Sequence, residues 1–317
     1  MDNSWESLLR QLPPWFQDMT AAVPKEERKD LTELRLFCGQ HPLWVKRGEA
    51  IFYNKEIISK GQLQEIFHSL CHGSVHSFEQ ELKEGFVPLE GGHRVGICGT
   101  AVYRDGIRSG VRDISSINIR LARPCTGCAR NLYQEMERRG MAEGSFLLVG
   151  APASGKTTLL RDYARILAGG DGDPCRLIAL LDERSELSDG FDLGLSTHVL
   201  KGLPKTVGIL QALRTLAPKV ILCDEIGTAE EAKLLLQGLQ SGCRFIGSIH
   251  GENWQQLQQK AQFRPFLEQK ALDAVVFLKQ AQQPGQIREI HEIRGSKNET
   301  VGLSSDFPQH GLGWASP

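Results

Sequence analysis

One octapeptide constrains this chain more than any other feature. Gly150-Ala151-Pro152-Ala153-Ser154-Gly155-Lys156-Thr157 follows the apolar run Phe146-Leu-Leu-Val149 and precedes Thr158-Leu-Leu-Arg161, which continues at helical spacing. A G-x-x-x-x-G-K-T between a strand and a helix is the arrangement of a phosphate-binding loop, and both flanks it requires are present. The glycines allow backbone angles and a close approach that a Cβ would block, so successive N–H groups can converge on phosphate oxygens. Lys156 adds a positive charge for the β- and γ-phosphates, and the Thr157 hydroxyl is placed to ligate Mg2+. The helix start, with Thr158 in its first turn, adds its partial positive charge. The bound species this implies is ATP with Mg2+. A chance glycine turn is the alternative, and strand, full pattern and helix in one order leave it little weight.

The surrounding pattern has one consistent reading. After the loop come Arg176-Leu-Ile-Ala-Leu-Leu181, Val220-Ile-Leu-Cys223, Arg244-Phe-Ile-Gly-Ser-Ile249 and Val275-Val-Phe-Leu278, each apolar run separated from the next by a helical stretch. Apolar strands alternating with helices predict a parallel sheet covered on both faces, an α/β domain. The first third reads differently. A helix carrying Trp5, Leu8, Leu9 and Leu12 stops at Pro13-Pro14, short strands cover 34–53, a helix covers 60–83, and strands return from Gly85 to Arg123, which makes a smaller α+β domain. The expected organisation is an amino-terminal domain over 1–125, a linker and leading helix over 126–144, the phosphate-loop domain over 145–295 and a polar tail over 296–317.

Acidic residues close the next strands. Val220-Ile-Leu-Cys-Asp224-Glu225 has the form of a metal-holding strand end, with Asp224 as the Mg2+ ligand, direct or through water, and Glu225 as the group that orients and deprotonates an attacking water. Capping the next helix is the alternative, but Thr228-Ala-Glu-Glu231 already supplies a capping box there. Asp182-Glu183-Arg184-Ser-Glu186 and His250-Gly251 follow two further strands, and ligands of open α/β sheets bind at the carboxyl ends of strands. Glu183 is then a candidate for holding a metal-bound water and His250 for sensing the γ-phosphate, with a structural role the alternative for each.

Composition narrows the remaining classes. Lys plus Arg (37) nearly cancels Asp plus Glu (38), so bulk charge gives no support to nucleic acid or an anionic membrane as partner. No apolar stretch reaches the roughly 20 residues that cross a bilayer, and the start lacks the basic region of a secretory signal, so a cytoplasmic location is expected. The eight cysteines are scattered, several within apolar runs, and read as reduced core thiols. Cys125-Thr-Gly-Cys128 alone has ligand-like spacing, and without a second pair it reads as a loop.

The order of phosphate loop, acidic cluster, Asp-Glu strand and strand-end histidine resembles the ATPases that power type II secretion and type IV pili. Within that superfamily the chain resembles the stage III sporulation AA family of endospore-forming bacteria, over about residues 30–295. The resemblance is carried by Gly91-Gly-His-Arg94-Val-Gly-Ile97, by Arg112-Asp-Ile-Ser-Ser-Ile-Asn-Ile-Arg120-Leu-Ala122 and by Leu181-Asp-Glu-Arg-Ser-Glu186. It implies a RecA-like fold, a homo-oligomeric ring that is expected to be a hexamer, and a mother-cell protein recruited to the membrane by a pilus-platform-like partner. It also implies that Arg94, Arg112, Arg120 and Arg123 lie in or near stretches where secretion ATPases carry nucleotide-reaching arginines, with strand-surface ion pairing the alternative. Two departures stand out. Asp224-Glu225-Ile-Gly replaces the usual Gly-Glu-x-Arg-Asp, and the four-cysteine zinc insert of some secretion members is absent.

The function these readings predict is ATP hydrolysis (ATP and water to ADP and phosphate) by a motor subunit of a secretion-like, trans-envelope complex, with Lys156, Glu183, Glu225 and His250 as catalytic candidates. Two rivals keep the fold: a ring ATPase stimulated by nucleic acid, and a nucleotide-gated assembly scaffold with little hydrolysis.

Overall fold

The computed structural model describes residues 3–293 except 47, 79–81, 84, 90, 105, 123–124, 174 and 189. The expected tail over 296–317 and the candidate Arg123 lie outside the described residues. The chain divides into two compact units, and the second begins at Cys125.

The first unit is an antiparallel sheet with helices. Its strands are β1 (Leu31–Phe37), β2 (Leu43–Lys46), β3 (Glu49–Ile51), β4 (Phe86–Pro88), β5 (Arg94–Arg104) and β6 (Ile107–Arg120), in the order β3-β2-β1-β6-β5-β4. Helix α1 (Asn3–Arg10) turns Trp5 and Leu8 into this unit's own core, with Leu12 just beyond it and Leu34, Leu36, Trp44, Ile117 and Ile119 from the sheet. Pro13 and Pro14 do stop α1, and Pro14 then opens α2 (Pro14–Thr20), a position where the missing N–H costs nothing. A one-turn α3 (Lys25–Arg28) leads into β1.

The helix expected over 60–83 is shorter. α4 (Lys60–Leu70) begins with a capping box between Ser59 and Gln62 and ends where His72 (φ 49°) and Gly73 (φ 73°) leave the helical region. A 3-10 turn, Val75–Phe78, follows, and among the described residues up to 83 only Leu82 and Lys83 are again helical.

In the second unit, α5 (Arg130–Arg138) precedes β7 (Phe146–Gly150), α6 (Lys156–Leu167) and β8 (Ile178–Asp182). Then come β9 (Thr197–Lys201), α7 (Lys205–Gln211), β10 (Val220–Cys223), α8 (Ala229–Gln240) and β11 (Arg244–His250), and finally α9 (Trp254–Gln259), α10 (Arg264–Glu268), β12 (Ala274–Leu278) and β13 (Ile287–Glu292). The sheet order is β13-β12-β7-β11-β10-β8-β9, parallel throughout except that β13 runs antiparallel to β12. Alternation within each strand feeds two cores. Phe146 and Leu148 face one with Leu160, Tyr163, Leu180, Leu222 and Ile246; Leu147 and Val149 face the other with Leu181, Ile221, Phe245 and Ile249. That two-sided burial is why β7 and β12 are uniformly apolar, and β8 is apolar up to its last residue, Asp182.

Strands β9 and β13 were not legible as strands, because each is an edge strand with polar residues on its open side. The cysteines are free, but only Cys71, Cys223 and Cys243 are buried; Cys38, Cys98 and Cys175 are exposed, which corrects their reading as core thiols. Among the described residues, no helix is long and apolar enough to cross a membrane.

Candidate functional site

Strand β7 is buried along its length and delivers Gly150 to the carboxyl edge of the sheet. The loop that follows reverses through Ala153 (φ 59°) and enters α6 at Gly155 (φ 88°). Both glycines lie close against their surroundings, and at Gly155 the positive φ and a backbone neighbour make the absence of a Cβ a requirement. A Cβ on Gly150 would fall 2.3 Å from Ser154 Oγ, and one on Gly155 would fall 2.6 Å from the backbone nitrogen of Gly285, in the turn between β12 and β13. Gly285 N–H donates to the Ser154 carbonyl at 2.8 Å, so this hairpin turn supports the loop from outside.

The loop offers donors and little else. Among the described residues no acceptor meets the amides of Gly155, Lys156, Thr157 or Thr158, as at any uncapped helix start. Among the described residues, Ser154 Oγ is buried without a hydrogen-bond partner. Lys156 is 8% exposed, and its ammonium donates to the carbonyls of Gly150 (2.9 Å) and Ala151 (2.8 Å). Burial pulls its pKa below the usual lysine value, against the opposing pull of Asp224 and Glu225. Unpaired amides, a helix start and a buried ammonium fit a polyphosphate.

The register of the sheet brings the second half of the site to the first. His250 pairs with Gly150 across β11 and β7, and Cys223 pairs with Gly247 across β10 and β11, so Asp224 emerges beside Ser248. Thr157 Oγ1 donates to Asp224 Oδ2 at 2.8 Å, while Asp224 Oδ1 accepts from Ser248 Oγ at 2.7 Å and from Glu225 N–H at 3.0 Å. Ser248 Oγ also accepts from Glu225 N–H at 3.1 Å. A hydroxyl and a carboxylate side by side are the oxygen ligands that Mg2+ takes, so the residues present fit that ion as well.

Glu225 has a positive φ of 21°, uncommon for a residue with a Cβ. Such a conformation costs on the order of 1–3 kcal/mol and persists only where neighbours hold it. Its carboxylate lies 3.4 Å from His250 Nε2, and both side chains are about two-fifths exposed (41% and 39%), open to solvent where a water would approach. Helix α8 is capped separately by Thr228 and Glu231, so neither Asp224 nor Glu225 is occupied as a cap.

The other acidic cluster divides into two roles. Asp182 is 2% exposed and accepts from the N–H groups of Glu186, Leu187 and Ser188 and from Ser188 Oγ, so it shapes the turn after β8. Glu183 points elsewhere, with Oε2 at 3.4 Å from Lys205 Nζ.

Three candidate arginines belong to the first unit. Arg94 lies over the Phe86 ring at 5.7 Å, Arg112 is 3.8 Å from Asp113, and Arg120 is 3.8 Å from Glu33. Arg112 and Arg120 are largely exposed, at 71% and 72%.

Two residues in the site escaped sequence reasoning. Ser248 carried a usable signal, being the one hydroxyl in an apolar strand, two residues before His250 and therefore on the same face. Lys205 carried none: a lysine after Pro204 at the start of a short helix reads as surface.

The phosphate loop leaving β7, with β11 set between it and the Asp224 strand β10, defines a RecA-like P-loop fold. The same fold is seen in solved structures that share little sequence with this chain. The ATPase DotB of Legionella pneumophila aligns at a TM-score of 0.53 with 17% identity, covering 83% of this chain and 75% of DotB. The pilus retraction motor PilT, solved with bound ADP, aligns at 0.56 with 16% identity, covering 80% and 76%. The sequence places the chain more narrowly. The family described as "Sporulation stage III, protein AA" matches residues 19–298, and Stage III sporulation protein AA of Bacillus subtilis (strain 168) is 31% identical over 303 residues, 93% of this chain and 97% of that protein. The chain belongs to the sporulation stage III protein AA family.

Proposed function

We propose that the chain is an ATP-hydrolysing motor subunit that energises a secretion-like or pilus-like trans-envelope complex during endospore formation. It works as a homo-oligomeric ring, most simply a hexamer, in the mother cell, and reaches the membrane through a platform protein. The observation that carries the ATPase reading is the bonded line Thr157–Asp224–Ser248–Glu225, which joins the phosphate loop to an acid at a solvent-open strand end. Family membership supports the sporulation setting.

Each residue then has a definite part. The amides of residues 155–158 hold the β- and γ-phosphates, and Lys156 moves its donors from the loop carbonyls to phosphoryl oxygens of similar reach. Thr157 and Asp224 would hold Mg2+, which supplies neutralisation of phosphoryl charge when bound. Glu225 accepts the proton of the attacking water, and His250 at 3.4 Å fixes the carboxylate and stands beside the γ-phosphate position.

The test is phosphate release by the full chain with ATP, with and without Mg2+. The expected result is Mg2+-dependent turnover that Lys156→Ala reduces to background, with ATP affinity weakened as well. Full turnover in the Lys156→Ala protein, or calorimetry showing that the folded chain takes up neither ATP nor ADP, would sink the reading.

A further inference from the structure

Lys205 opens α7 with a side chain only 11% exposed, and the reaction scheme above gives it nothing to do. Its ammonium nevertheless sits between two parts of the site. It donates to the main-chain oxygen of Glu225 at 2.8 Å and lies 3.4 Å from Glu183 Oε2. A nearly buried ammonium is retained only where charge and hydrogen bonds are matched, and a charged donor to a carbonyl is among the stronger hydrogen bonds available.

The residue whose carbonyl it holds is the one with the positive φ. The Glu225 N–H is bonded to Asp224 Oδ1 (3.0 Å) and Ser248 Oγ (3.1 Å), and its C=O is bonded to Lys205. The two backbone polar groups of one strained residue are thus fastened to three side chains: that of its neighbour Asp224, Ser248 of β11 and Lys205 of α7. The peptide that carries this carbonyl is also held on its other side, where Ile226 N–H donates to the Ser248 carbonyl at 2.8 Å, so losing Lys205 removes one of two holds on it and lets φ at 225 relax toward negative values, carrying the carboxylate away from His250.

We propose that Lys205 is a positioning residue: it clamps the Glu225 backbone in its positive-φ conformation, and Glu183 serves as the anchor for the Lys205 ammonium. This rests on Glu225 being the proton acceptor of the proposed ATPase. It changes the part first considered for Glu183, from holding a water to holding a lysine.

Lys205→Met keeps the length of the stem and removes the charge, so it is the variant of choice in the full-length chain. The expected result is a kcat lowered about 10–100-fold with KM and the Mg·ADP dissociation constant within about 2-fold of wild type, the pattern of a group acting only on the chemical step. Lys205→Arg should recover a substantial part of kcat. Because Lys205 acts through Glu225, adding Lys205→Met to Glu225→Gln should cost no further activity. An unchanged kcat in Lys205→Met overturns the proposal, as does an equal additional loss in the Glu225→Gln background.

Readouts that need no turnover keep the claim separate from the ATPase reading. In a crystal structure of Lys205→Met, residue 225 should have a negative φ, and amide exchange over 224–226 should be faster than in wild type. If Lys205→Met folds poorly, adding Glu225→Gly, which carries no penalty at positive φ, should restore its melting temperature. Failure of that rescue, or an unmoved backbone at 225, overturns the proposal. A wild-type protein without ATPase activity but with these structural responses removes the function proposed above and leaves the clamp standing.

Discussion

Lys156 has surroundings at odds with its charge, buried at a helix start and eased by two carbonyls and two nearby carboxylates. That imbalance is legible from sequence, since a lysine after a glycine loop and before an apolar helix has nowhere else to be. The glycines are equally legible, though their neighbours are not. Gly155→Ala puts a Cβ at φ 88° and 2.6 Å from a backbone nitrogen, so it should destabilise the fold by about 1–3 kcal/mol from strain alone, read as a lower denaturant midpoint. Gly127→Ala, with a similar φ of 82° and nothing within 4 Å, should cost less, which separates the collision from the backbone angle. Ser248→Ala leaves Asp224 and the Glu225 N–H each one partner short, an expected loss of about 1–3 kcal/mol in equilibrium unfolding together with reduced turnover. Ser248 itself was overlooked because a hydroxyl in a strand is usually core filler, and Lys205 because its partners come from elements separated widely in sequence.

At the scale of elements, apolar strands that are buried on both faces announced themselves, and half-covered ones did not. The interior strands β7, β8, β10, β11 and β12 are legible as strands, since burial on two sides forces mainly apolar runs, broken inside only by Ser248 of β11. The edges β9 and β13 have no such constraint. Helix α5 shows what fixes an element beyond its periodicity. Glu135 accepts from Arg138 and Arg139, and Arg139 reaches on to Glu292 of β13. Arg138 first, and then Arg139, hold the Glu135 carboxyl below its ordinary value of 4.5. A carboxylate depressed in the folded state stabilises above its unfolded pKa, and the contribution is lost as pH falls through the folded one. Stability should therefore decline as pH drops below about 4.5, and Glu135→Gln should flatten that part of the curve in urea titrations taken at successive pH values. Asp171, held down to about 2 by Arg165 and Arg130, continues the decline toward lower pH, modestly because its side chain is 46% exposed.

At the scale of the whole molecule, each unit owns its core: Trp5, Phe16, Trp44 and Ile117 in the first, and the two faces of the seven-stranded sheet in the second. A ligand taken up at the phosphate loop therefore stabilises the second unit's unfolding transition. Mg·ADP at about 100 times its dissociation constant should add about 2.7 kcal/mol there, seen by calorimetry as a shift of one endotherm while the other keeps its position. A single endotherm shifting as a whole would show that the two cores melt as one.

The Pro284-Gly285 bend reaches back to the very peptide that precedes the helix-opening glycine. A stop codon placed just after Leu278 would spare every residue of the octapeptide and still unhook it, so the last strand of the sheet, dispensable to the eye of anyone trimming an expression clone, is the latch of the pocket some 130 positions upstream.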